Sequence, residues 1–532
     1  MDGATPRDGE RRGGFFGGNA MKFRTLVATA AMAGLMMTAG AFPASAAPTE
    51  VRIDSGVLIG SADGDVLSFK GVPYAAAPVG PLRWAPPQKF APWSGKRAAD
   101  QYGLICPQPI NADGRPNEGG AFGATSEDCL FLNVWAPKAA RKAPVMLWIH
   151  GGSNSLGAGS LGAYDGSAFV RDGVIVVSIN YRLGLLGFFA HPALTKAAGP
   201  DEPLVGYGLM DQIAALQWVQ RNIAAFGGDP SNVTVFGESA GGADILTLMA
   251  SPLAKGLFAK AIVESGGGWS PPATLAAQEA KGVAAAVKAG APADATLDQL
   301  RALPVSALVG RGVNGVGVAI DGRLLTESPS QAFADGHALD VPLMIGSNSF
   351  EASLMSLFGM PAGMMLATVP AQVKAAYADE PTDEAKAHAI FTDGFMGAPA
   401  RWIAAKESAG QPAYLYHFSY VLDVQRPTSP GAGHASEIPY VFNSWDTLGA
   451  LRMGMPVSAQ DMAMTRLVHA CWVAFAKTGA PRCGPGPAWP AYTPENDTLM
   501  EFDTNSGPRR HVRKAQPDVL EAQTLPTLKL GN

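Results

Sequence analysis

Residues 233–242 read VTVFGESAGG. Val233 to Phe236 form an apolar β-type run, and the residues from Ala243 to Ala250 are typical of a helix. Ser239 lies between them, with glycines two residues before and two residues after it. A serine in strained backbone geometry needs small neighbours, because any Cβ there would collide where strand and helix pack closely. The stretch therefore predicts a strand, a sharp turn with Ser239 at its tip, and a helix whose amino end favours a developing negative charge.

Further apolar runs occur on both sides of this turn. They are continuously apolar rather than alternating, which predicts parallel strands covered by helices on both faces. The runs are Val145–Ile149, Val174–Ile179, Ala261–Val263, Pro342–Ile345 and Ala413–Tyr416. Apolar residues from Leu209 to Phe226 recur at helical spacing and end at Gly227, which predicts a helix just before the serine turn.

Three other segments add to this sheet. Residues 51–59, 67–69 and 130–134 predict antiparallel strands before the parallel core. Residues 273–308 and 353–407 are helical in pattern, and we expect them to be insertions that form a cap over the site. The methionines of the second insertion (Met355, Met360, Met364 and Met365) suit either a gorge wall or a core.

A serine nucleophile needs a base and an acid that orients the base. In a strand–turn–helix site of this kind the acid and the base follow the serine along the chain. Five histidines come late enough: His388, His417, His434, His469 and His511. Only His434 lies in a loop after a strand, so we predict it as the base. Glu351 follows the strand ending at Ile345 and is the predicted acid, with Asp423 as the alternative because it also follows a strand.

The negative oxygen that forms during acyl transfer needs hydrogen-bond donors. Gly151, Gly152 and Ser153 follow the strand ending at Ile149, where glycines let main-chain N–H groups approach a substrate. We predict the N–H groups of Gly152, Ser153 and Ala240 as the oxyanion hole.

Composition limits the remaining functions. The chain has 532 residues, of which 47% are hydrophobic and 16% charged, with a net charge of -5. Lysine and arginine do not cluster, so we expect neither a nucleic-acid partner nor an anionic membrane surface. The spacing of cysteine and histidine fits no common zinc motif, and no cofactor is expected. Four cysteines allow three pairings, of which proximity favours Cys106 with Cys129 and Cys471 with Cys483.

The first 46 residues are interpreted as targeting sequence. Met21 and the basic residues after it precede an apolar stretch from Leu26 to Ala41, too short to span a membrane comfortably. The run ASA at residues 44–46 matches a signal-peptidase site. We therefore expect residues 1–20 to be a leader or mis-assigned start, 21–46 to be a signal peptide, and 47–532 to be one exported domain, periplasmic or secreted, without a stable membrane anchor.

The chain resembles the type B carboxylesterases, a group of α/β-hydrolases that includes the cholinesterases. The similar stretches appear in the order typical of the family and span nearly all of residues 47–532. They are GVPYAAAPVGPLR at 71–83, EDCLFLNV at 127–134, NYRLG at 180–184, YGLMDQ at 207–212, FGGDP at 226–230, GESAGG at 237–242 and GHASEIPY at 433–440.

The resemblance implies an α/β-hydrolase fold, a Ser239–Glu351–His434 triad, and a disulfide between Cys106 and Cys129. It also implies buried polar roles for Glu238 and Ser265 beside the triad. The chain departs from the family pattern at Ser153, which replaces a glycine of the oxyanion turn, and at Phe350 and Ala352 on either side of Glu351.

These observations predict a serine carboxylesterase that acts on a small-molecule ester. Two alternatives stay open on the sequence: a lipase acting at lipid interfaces, and a non-catalytic cholinesterase-like binding protein. The intact serine, glutamate and histidine argue against the second alternative.

Overall fold

The computed structural model describes residues 47–269, 271, 273–310, 317–448 and 454–528. The predicted leader and signal peptide lie outside the described residues. The strands in chain order are β1 (Ala47–Ile53), β2 (Gly56–Asp63), β3 (Val66–Pro73), β4 (Lys96–Ala98), β5 (Phe131–Pro137), β6 (Ala143–Ile149), β7 (Ile175–Ile179), β8 (Gly228–Glu238), β9 (Lys260–Glu264), β10 (Leu343–Asn348), β11 (Ala413–Phe418), β12 (Thr498–Phe502) and β13 (Gly507–Arg510).

The helices lie between and after these strands. In chain order they are α1 (Ser167–Arg171), α2 (Gly184–Gly187), α3 (Pro192–Ala197), α4 (Tyr207–Asn222), α5 (Ala240–Met249), α6 (Leu275–Lys288), α7 (Leu297–Arg301), α8 (Val305–Leu308), α9 (Pro329–Asp335), α10 (Ser353–Leu357), α11 (Ala362–Thr368), α12 (Ala371–Ala376), α13 (Asp383–Thr392), α14 (Ala398–Glu407), α15 (Ile438–Phe442), α16 (Ala459–Thr478) and α17 (Ala515–Thr524). Within the described ranges, no helix is both long and apolar enough to cross a bilayer.

The thirteen strands within the described ranges all belong to one sheet. Its order is β1-β2-β3-β5-β7-β6-β8-β9-β10-β11-β12-β13, and β4 pairs with β2. The pairs at the amino-terminal side, from β1 to β7, are antiparallel along this order. The pairs from β7 through β12 are parallel, and β13 closes the other edge antiparallel. The predicted antiparallel strands before a parallel core are thus confirmed.

The central strands are buried on both faces, which explains why their sequences do not alternate. On β6, Leu147 belongs to an apolar cluster on one face and Trp148 to a cluster on the other, and both are fully buried. The same division holds on β8 for Val235 and Phe236. Because side chains point alternately to the two faces of a sheet, helices covering both faces require an unbroken apolar run.

The predicted helix before the serine turn is α4 followed by a short 3₁₀ turn, Ile223–Phe226. It ends at Gly227, where φ is +83° and an added Cβ would lie 2.4 Å from the Ala140 carbonyl oxygen. Both the backbone conformation and the lack of space therefore require glycine here. The end of α4 returns the chain to the start of β8, the strand that leads to Ser239.

The two predicted insertions behave differently. Residues of α10 contribute to the wall of the main cavity, whereas α6, α7 and α8 contribute no described lining residue. These three helices instead pack around Trp84, Leu185 and Phe189, because their alanines and leucines complete a separate apolar cluster there.

Candidate active site

Ser239 lies at the sharp turn between β8 and α5. Its backbone has φ 57° and ψ -123°, a conformation that residues with a side chain rarely adopt. The Ser239 N–H donates to the Glu264 carbonyl oxygen at 2.8 Å, and its carbonyl oxygen accepts from the Ala243 N–H at 2.9 Å. Gly241 permits the turn, since an added Cβ would lie 2.0 Å from the Ile149 carbonyl oxygen. The strained backbone of Ser239 is held in place by β6 and β9, the two strands on either side of β8.

Glu351 and His434 form a short buried contact. Nδ1 of His434 lies 2.6 Å from Oε2 of Glu351, and Glu351 is fully buried. The other carboxylate oxygen, Oε1, accepts from the Ser265 hydroxyl at 2.6 Å and from the Asn348 N–H at 2.7 Å. The carboxylate therefore has partners on both oxygens and a fixed orientation toward the imidazole.

The loop that carries His434 is joined to the loop that carries Glu351. The His434 N–H donates to the Ser353 hydroxyl at 2.9 Å, and the Phe350 N–H donates to the Ala432 carbonyl oxygen at 2.8 Å. Asn348 Nδ2 donates to the Gly433 carbonyl oxygen at 2.8 Å. These bonds connect segments more than eighty residues apart, so the base and its acid are positioned as one unit.

A second carboxylate faces the other side of the imidazole. Nε2 of His434 lies 3.0 Å from Oε1 of Glu238, the residue before Ser239. Burial raises the pKa of Glu238 to about 8, although His434 opposes this rise. Burial also works against protonation of His434, yet the carboxylates of Glu238, Glu351 and Glu437 together raise its pKa to about 10. The surroundings of the imidazole thus favour its positive form.

The predicted oxyanion turn lies against the serine turn. An added Cβ at Gly151 would lie 2.9 Å from the Ser239 Cβ, so only glycine lets the two turns approach this closely. Gly152 and Ser153 both have positive φ, 98° and 54°. Within the described part of the chain their N–H groups donate no hydrogen bond, and Ala240 is the first residue of α5.

These groups surround one cavity of about 780 Å³. Its described lining includes Gly152, Ser153, Glu238, Ser239 and His434. Much of the remaining wall is apolar or aromatic, for example Leu161, Tyr164, Leu354, Tyr420, Tyr440 and Trp445. The cavity can therefore hold an uncharged organic molecule beside the serine hydroxyl.

Several residues that the sequence offered as candidates are not among the described residues that line this cavity. Asp423, the alternative acid, pairs with Arg426 at 2.7 Å. The four methionines of the second insertion are absent from the described lining, since Met355 is buried in a cluster with Phe391 and Met364 is exposed. A different methionine, Met455, lines the wall.

Two disulfides are present, Cys106–Cys129 and Cys471–Cys483, the pairings that proximity favours in the sequence. The first closes a loop that reaches the cavity through Gly119 and Gly120.

Four polar residues near the site have no role predicted from the sequence: Asn154, Asp244, Asn348 and Glu437. Asn348 lies three residues before Glu351, and Glu437 lies three residues after His434. This closeness along the chain is the sequence signal that could have placed both residues in the site. Asn154 and Asp244 carry no local signal, because their contact joins residues ninety positions apart.

Comparison with known proteins agrees with this geometry. A family model described as the carboxylesterase family matches residues 47–378 and 366–520. The chain is 35% identical to the fumonisin B1 esterase of Sphingopyxis macrogoltabida over 509 residues, covering 89% of this chain and 90% of that protein. It is 36% identical to the para-nitrobenzyl esterase of Bacillus subtilis over 494 residues, covering 85% of this chain and 94% of that protein.

Solved structures give the same result. A carboxylesterase of Geobacillus stearothermophilus superposes with a TM-score of 0.77 at 32% identity, covering 89% of this chain and 99% of that one. A PNB esterase superposes with a TM-score of 0.76 at 33% identity, covering 88% of this chain and 99% of that one. These relatives are named as esterases, which favours neither the lipase nor the non-catalytic alternative. The chain therefore belongs to the carboxylesterase family, and it is a carboxylic ester hydrolase with the α/β-hydrolase fold.

Proposed function

We propose that Ser239 is the nucleophile of this esterase, His434 its general base and acid, and Glu351 the residue that orients His434. The observation that carries this proposal is the 2.6 Å contact between His434 Nδ1 and the buried Glu351, on an imidazole that lines the same cavity as Ser239. A carboxylate at Nδ1 fixes the tautomer that leaves Nε2 free to accept a proton.

The first half of the reaction acylates the serine. Nε2 of His434 accepts the hydroxyl proton as Ser239 Oγ attacks the ester carbonyl carbon. The N–H groups of Gly152, Ser153 and Ala240 would donate to the oxygen that becomes negative. Each such donor is worth roughly 3 kcal/mol in the transition state. His434 then protonates the departing alcohol, which leaves an acyl group on Ser239.

The second half returns the enzyme to its starting state. A water molecule gives a proton to His434 Nε2 and attacks the acyl carbon. The same donors hold the second negative oxygen, and the acid leaves when Ser239 recovers its proton. The positive imidazole that forms in both halves is stabilised by Glu351 and by Glu238, the two carboxylates that face its ring nitrogens.

The cavity wall also favours a class of ester. Among the described residues that line it, none is lysine or arginine, whereas Glu118 and Glu238 are acidic. An ester that keeps a free carboxylate would lose hydration there without a cationic partner. We therefore propose neutral, apolar esters as the preferred substrates, which a matched pair of neutral and anionic p-nitrophenyl esters would test through kcat/KM.

Ser239→Ala tests the central assignment. This variant is expected to lose nearly all turnover of p-nitrophenyl esters and all labelling by a fluorophosphonate, because no hydroxyl is left to attack. Ser436→Ala is the matched control, since Ser436 lines the same cavity and has no role in this mechanism. Substantial turnover by Ser239→Ala, or labelling that persists on another residue, would contradict the proposal.

We also propose that the protein is exported and loses residues 21–46. The charged start, short apolar stretch and small-residue site support this, as do two disulfides, which persist in oxidising compartments. Determining the amino-terminal residue of protein recovered from outside the cytoplasm tests it, with Ala47 expected.

A further inference from the structure

The oxyanion turn contains a run of residues in the left-handed backbone region. Gly152, Ser153 and Asn154 have φ values of 98°, 54° and 53°. Glycine adopts this region freely, but for serine and asparagine it costs free energy, of order 1 kcal/mol each. Such strain persists only where the surroundings hold it. The contacts of Asn154 are therefore among those that hold this turn, together with the Ser155 and Leu156 N–H groups, which donate to the Gly152 carbonyl oxygen at 3.0 and 2.9 Å.

Asn154 is held through both its backbone and its side chain. Its carbonyl oxygen accepts from the Gly184 N–H at 2.7 Å, and its Nδ2 donates to Oδ1 of Asp244 at 3.0 Å. Its Oδ1 lies 3.0 Å from the hydroxyl of Tyr181, which is also 2.8 Å from the His150 carbonyl oxygen. The reversed amide would place oxygen against the Asp244 carboxylate, so the neighbours fix the orientation of the amide.

Asp244 lies on α5, five residues after Ser239, and is 3% exposed. Its second oxygen, Oδ2, accepts from Gln212 Nε2 on α4 at 2.6 Å. The carboxylate is therefore anchored in the helix layer, and Asn154 is the partner that links it to the oxyanion turn. No step of ester hydrolysis uses either residue.

The helix α5 thus connects to both halves of the oxyanion hole. It begins at Ala240, the donor beside the nucleophile, and through Asp244 it holds the turn that carries the Gly152 and Ser153 donors. We infer that the hydrogen bond between Asp244 and Asn154 is a positioning device that sets the Gly152 and Ser153 N–H groups relative to Ser239 and Ala240. This inference rests on the proposed function of Ser239 and the oxyanion hole.

A positioning role predicts a loss in the chemical step. Oxyanion donors act only when placed within a few tenths of an ångström of the developing charge, and misplacement by about 1 Å can cost a hundredfold in rate. Substrate binding in the apolar cavity does not use the bond. Loss of the bond should therefore lower kcat by roughly 10- to 100-fold and change KM by less than about threefold.

Three variants separate this role from a structural one. Asn154→Gly removes the side chain but keeps the left-handed backbone accessible, so it tests the hydrogen bond and not the turn itself. Asp244→Ala removes the acceptor. Asp244→Asn keeps an oxygen for Asn154, and the Gln212 amide, whose Oε1 is buried without a partner, can turn to accept from the new amide nitrogen. We expect the first two variants to lose kcat and Asp244→Asn to stay within about threefold of the parent.

The control and the double variant complete the experiment. Ser251→Ala removes a buried hydrogen bond just after α5, to the Leu324 carbonyl oxygen at 2.7 Å, and should leave kcat unchanged. Asn154→Gly combined with Asp244→Ala should lose no more than the worse single variant, because both remove one bond. Melting temperatures of all variants are measured beside kcat and KM with p-nitrophenyl acetate.

Several outcomes would overturn the inference. Parental kcat in Asn154→Gly would show that the residue serves only the backbone, and additive losses in the double variant would show that the residues act separately. A loss in Asp244→Asn as large as in Asp244→Ala would rule out a simple acceptor role. If Ser239→Ala stays active, the proposed function fails; if it is inactive while the Asn154 and Asp244 variants keep full kcat, only this inference fails.

Discussion

Nε2 of His434 lies 3.0 Å from Oε1 of Glu238, so the imidazole is placed between two buried carboxylates. Glu351 at Nδ1 fixes the ring, whereas Glu238 faces the nitrogen that we propose to exchange protons with Ser239. A negative charge beside Nε2 stabilises the positive imidazole that forms during catalysis. It also raises the pKa of His434 and thereby reduces the neutral form that acts as a base.

Glu238→Gln is expected to move the acidic limb of the pH profile of kcat/KM to lower pH. The change removes a negative charge that raises the pKa of His434, so the pKa falls and the neutral base persists at lower pH. The same change weakens stabilisation of the positive imidazole, so kcat at the optimum should fall by roughly 10-fold. Initial rates with a neutral ester between about pH 5 and 11, a range that includes the raised pKa of His434, measure both effects.

Glu264→Gln is the matched control for that variant. Glu264 is also fully buried, but its Oε1 accepts from Trp472 Nε1 at 2.8 Å and it is not among the groups that raise the pKa of His434. The acidic limb of the pH profile of kcat/KM in Glu264→Gln should stay near that of the parent. If the acidic limb of Glu238→Gln does not move, or if it moves to higher pH, the role given to Glu238 is contradicted.

Ser265→Ala is expected to lower kcat by about 10-fold with little change in KM. The Ser265 hydroxyl donates to Glu351 Oε1 at 2.6 Å, and a hydrogen bond to a charged group is worth roughly 1.5–3 kcal/mol. Without it the carboxylate keeps only the Asn348 N–H on that oxygen and holds His434 less firmly. Steady-state kinetics measure the effect. Ser330→Ala, which removes a buried bond to the Gly268 carbonyl oxygen, should leave kcat unchanged; equal kinetics in both variants would refute the prediction.

The sequence predicted those parts of the site that depend on local chain geometry. The Ser239 turn needs a strand, small neighbours and a helix in succession, and all three are encoded within about twenty residues. Glu351 and His434 each follow a strand of a parallel sheet, whose carboxyl ends meet along one edge. Chain order and strand position therefore selected His434 and left Glu351 and Asp423 as candidate acids, and the family resemblance then favoured Glu351, the residue that contacts His434 in the structure.

The contacts that the sequence did not predict depend on tertiary packing. Asn154 and Asp244 meet only because α5 lies against the oxyanion turn, and no periodic pattern encodes that approach. The sequence also left open whether the methionines of residues 353–407 line the cavity or pack in a core, since a flexible side chain suits both places. Whether α6 to α8 cover the cavity depends on where Trp84 and Phe189 offer an apolar surface, which composition does not reveal.

Asp211→Ala is expected to destabilise the fold by about 3–5 kcal/mol. Arg182 is 3% exposed and donates from Nε and Nη2 to the two oxygens of Asp211, both at 2.8 Å. Removal of the carboxylate leaves a buried guanidinium without its charged partner. Denaturant unfolding measures the loss. Asp518→Ala breaks the exposed pair with Lys514 and should cost less than about 0.5 kcal/mol, so equal losses in the two variants would contradict the argument.

Removal of the Cys106–Cys129 disulfide by serine substitution should affect both stability and substrate binding. The bond closes a separation of 23 residues, for which loss of chain restraint costs about 3 kcal/mol. The same loop supplies Gly119 and Gly120 to the cavity wall, and its Gln108 exchanges two hydrogen bonds with Gly157 at 2.7 and 2.8 Å. A loosened loop leaves this wall poorly formed, so KM should rise by several-fold while kcat changes less.

Removal of the Cys471–Cys483 disulfide is the matched control for the loop at the cavity. Its separation of 12 residues predicts a loss of stability of similar size, about 3 kcal/mol, because the entropy of closure grows only slowly with length. Neither cysteine lines the cavity, so KM should stay at the parental value. Denaturant unfolding and steady-state kinetics on both double-serine variants separate the two effects. An equal rise in KM in both would mean that general destabilisation, and not the Cys106–Cys129 loop, weakens substrate binding.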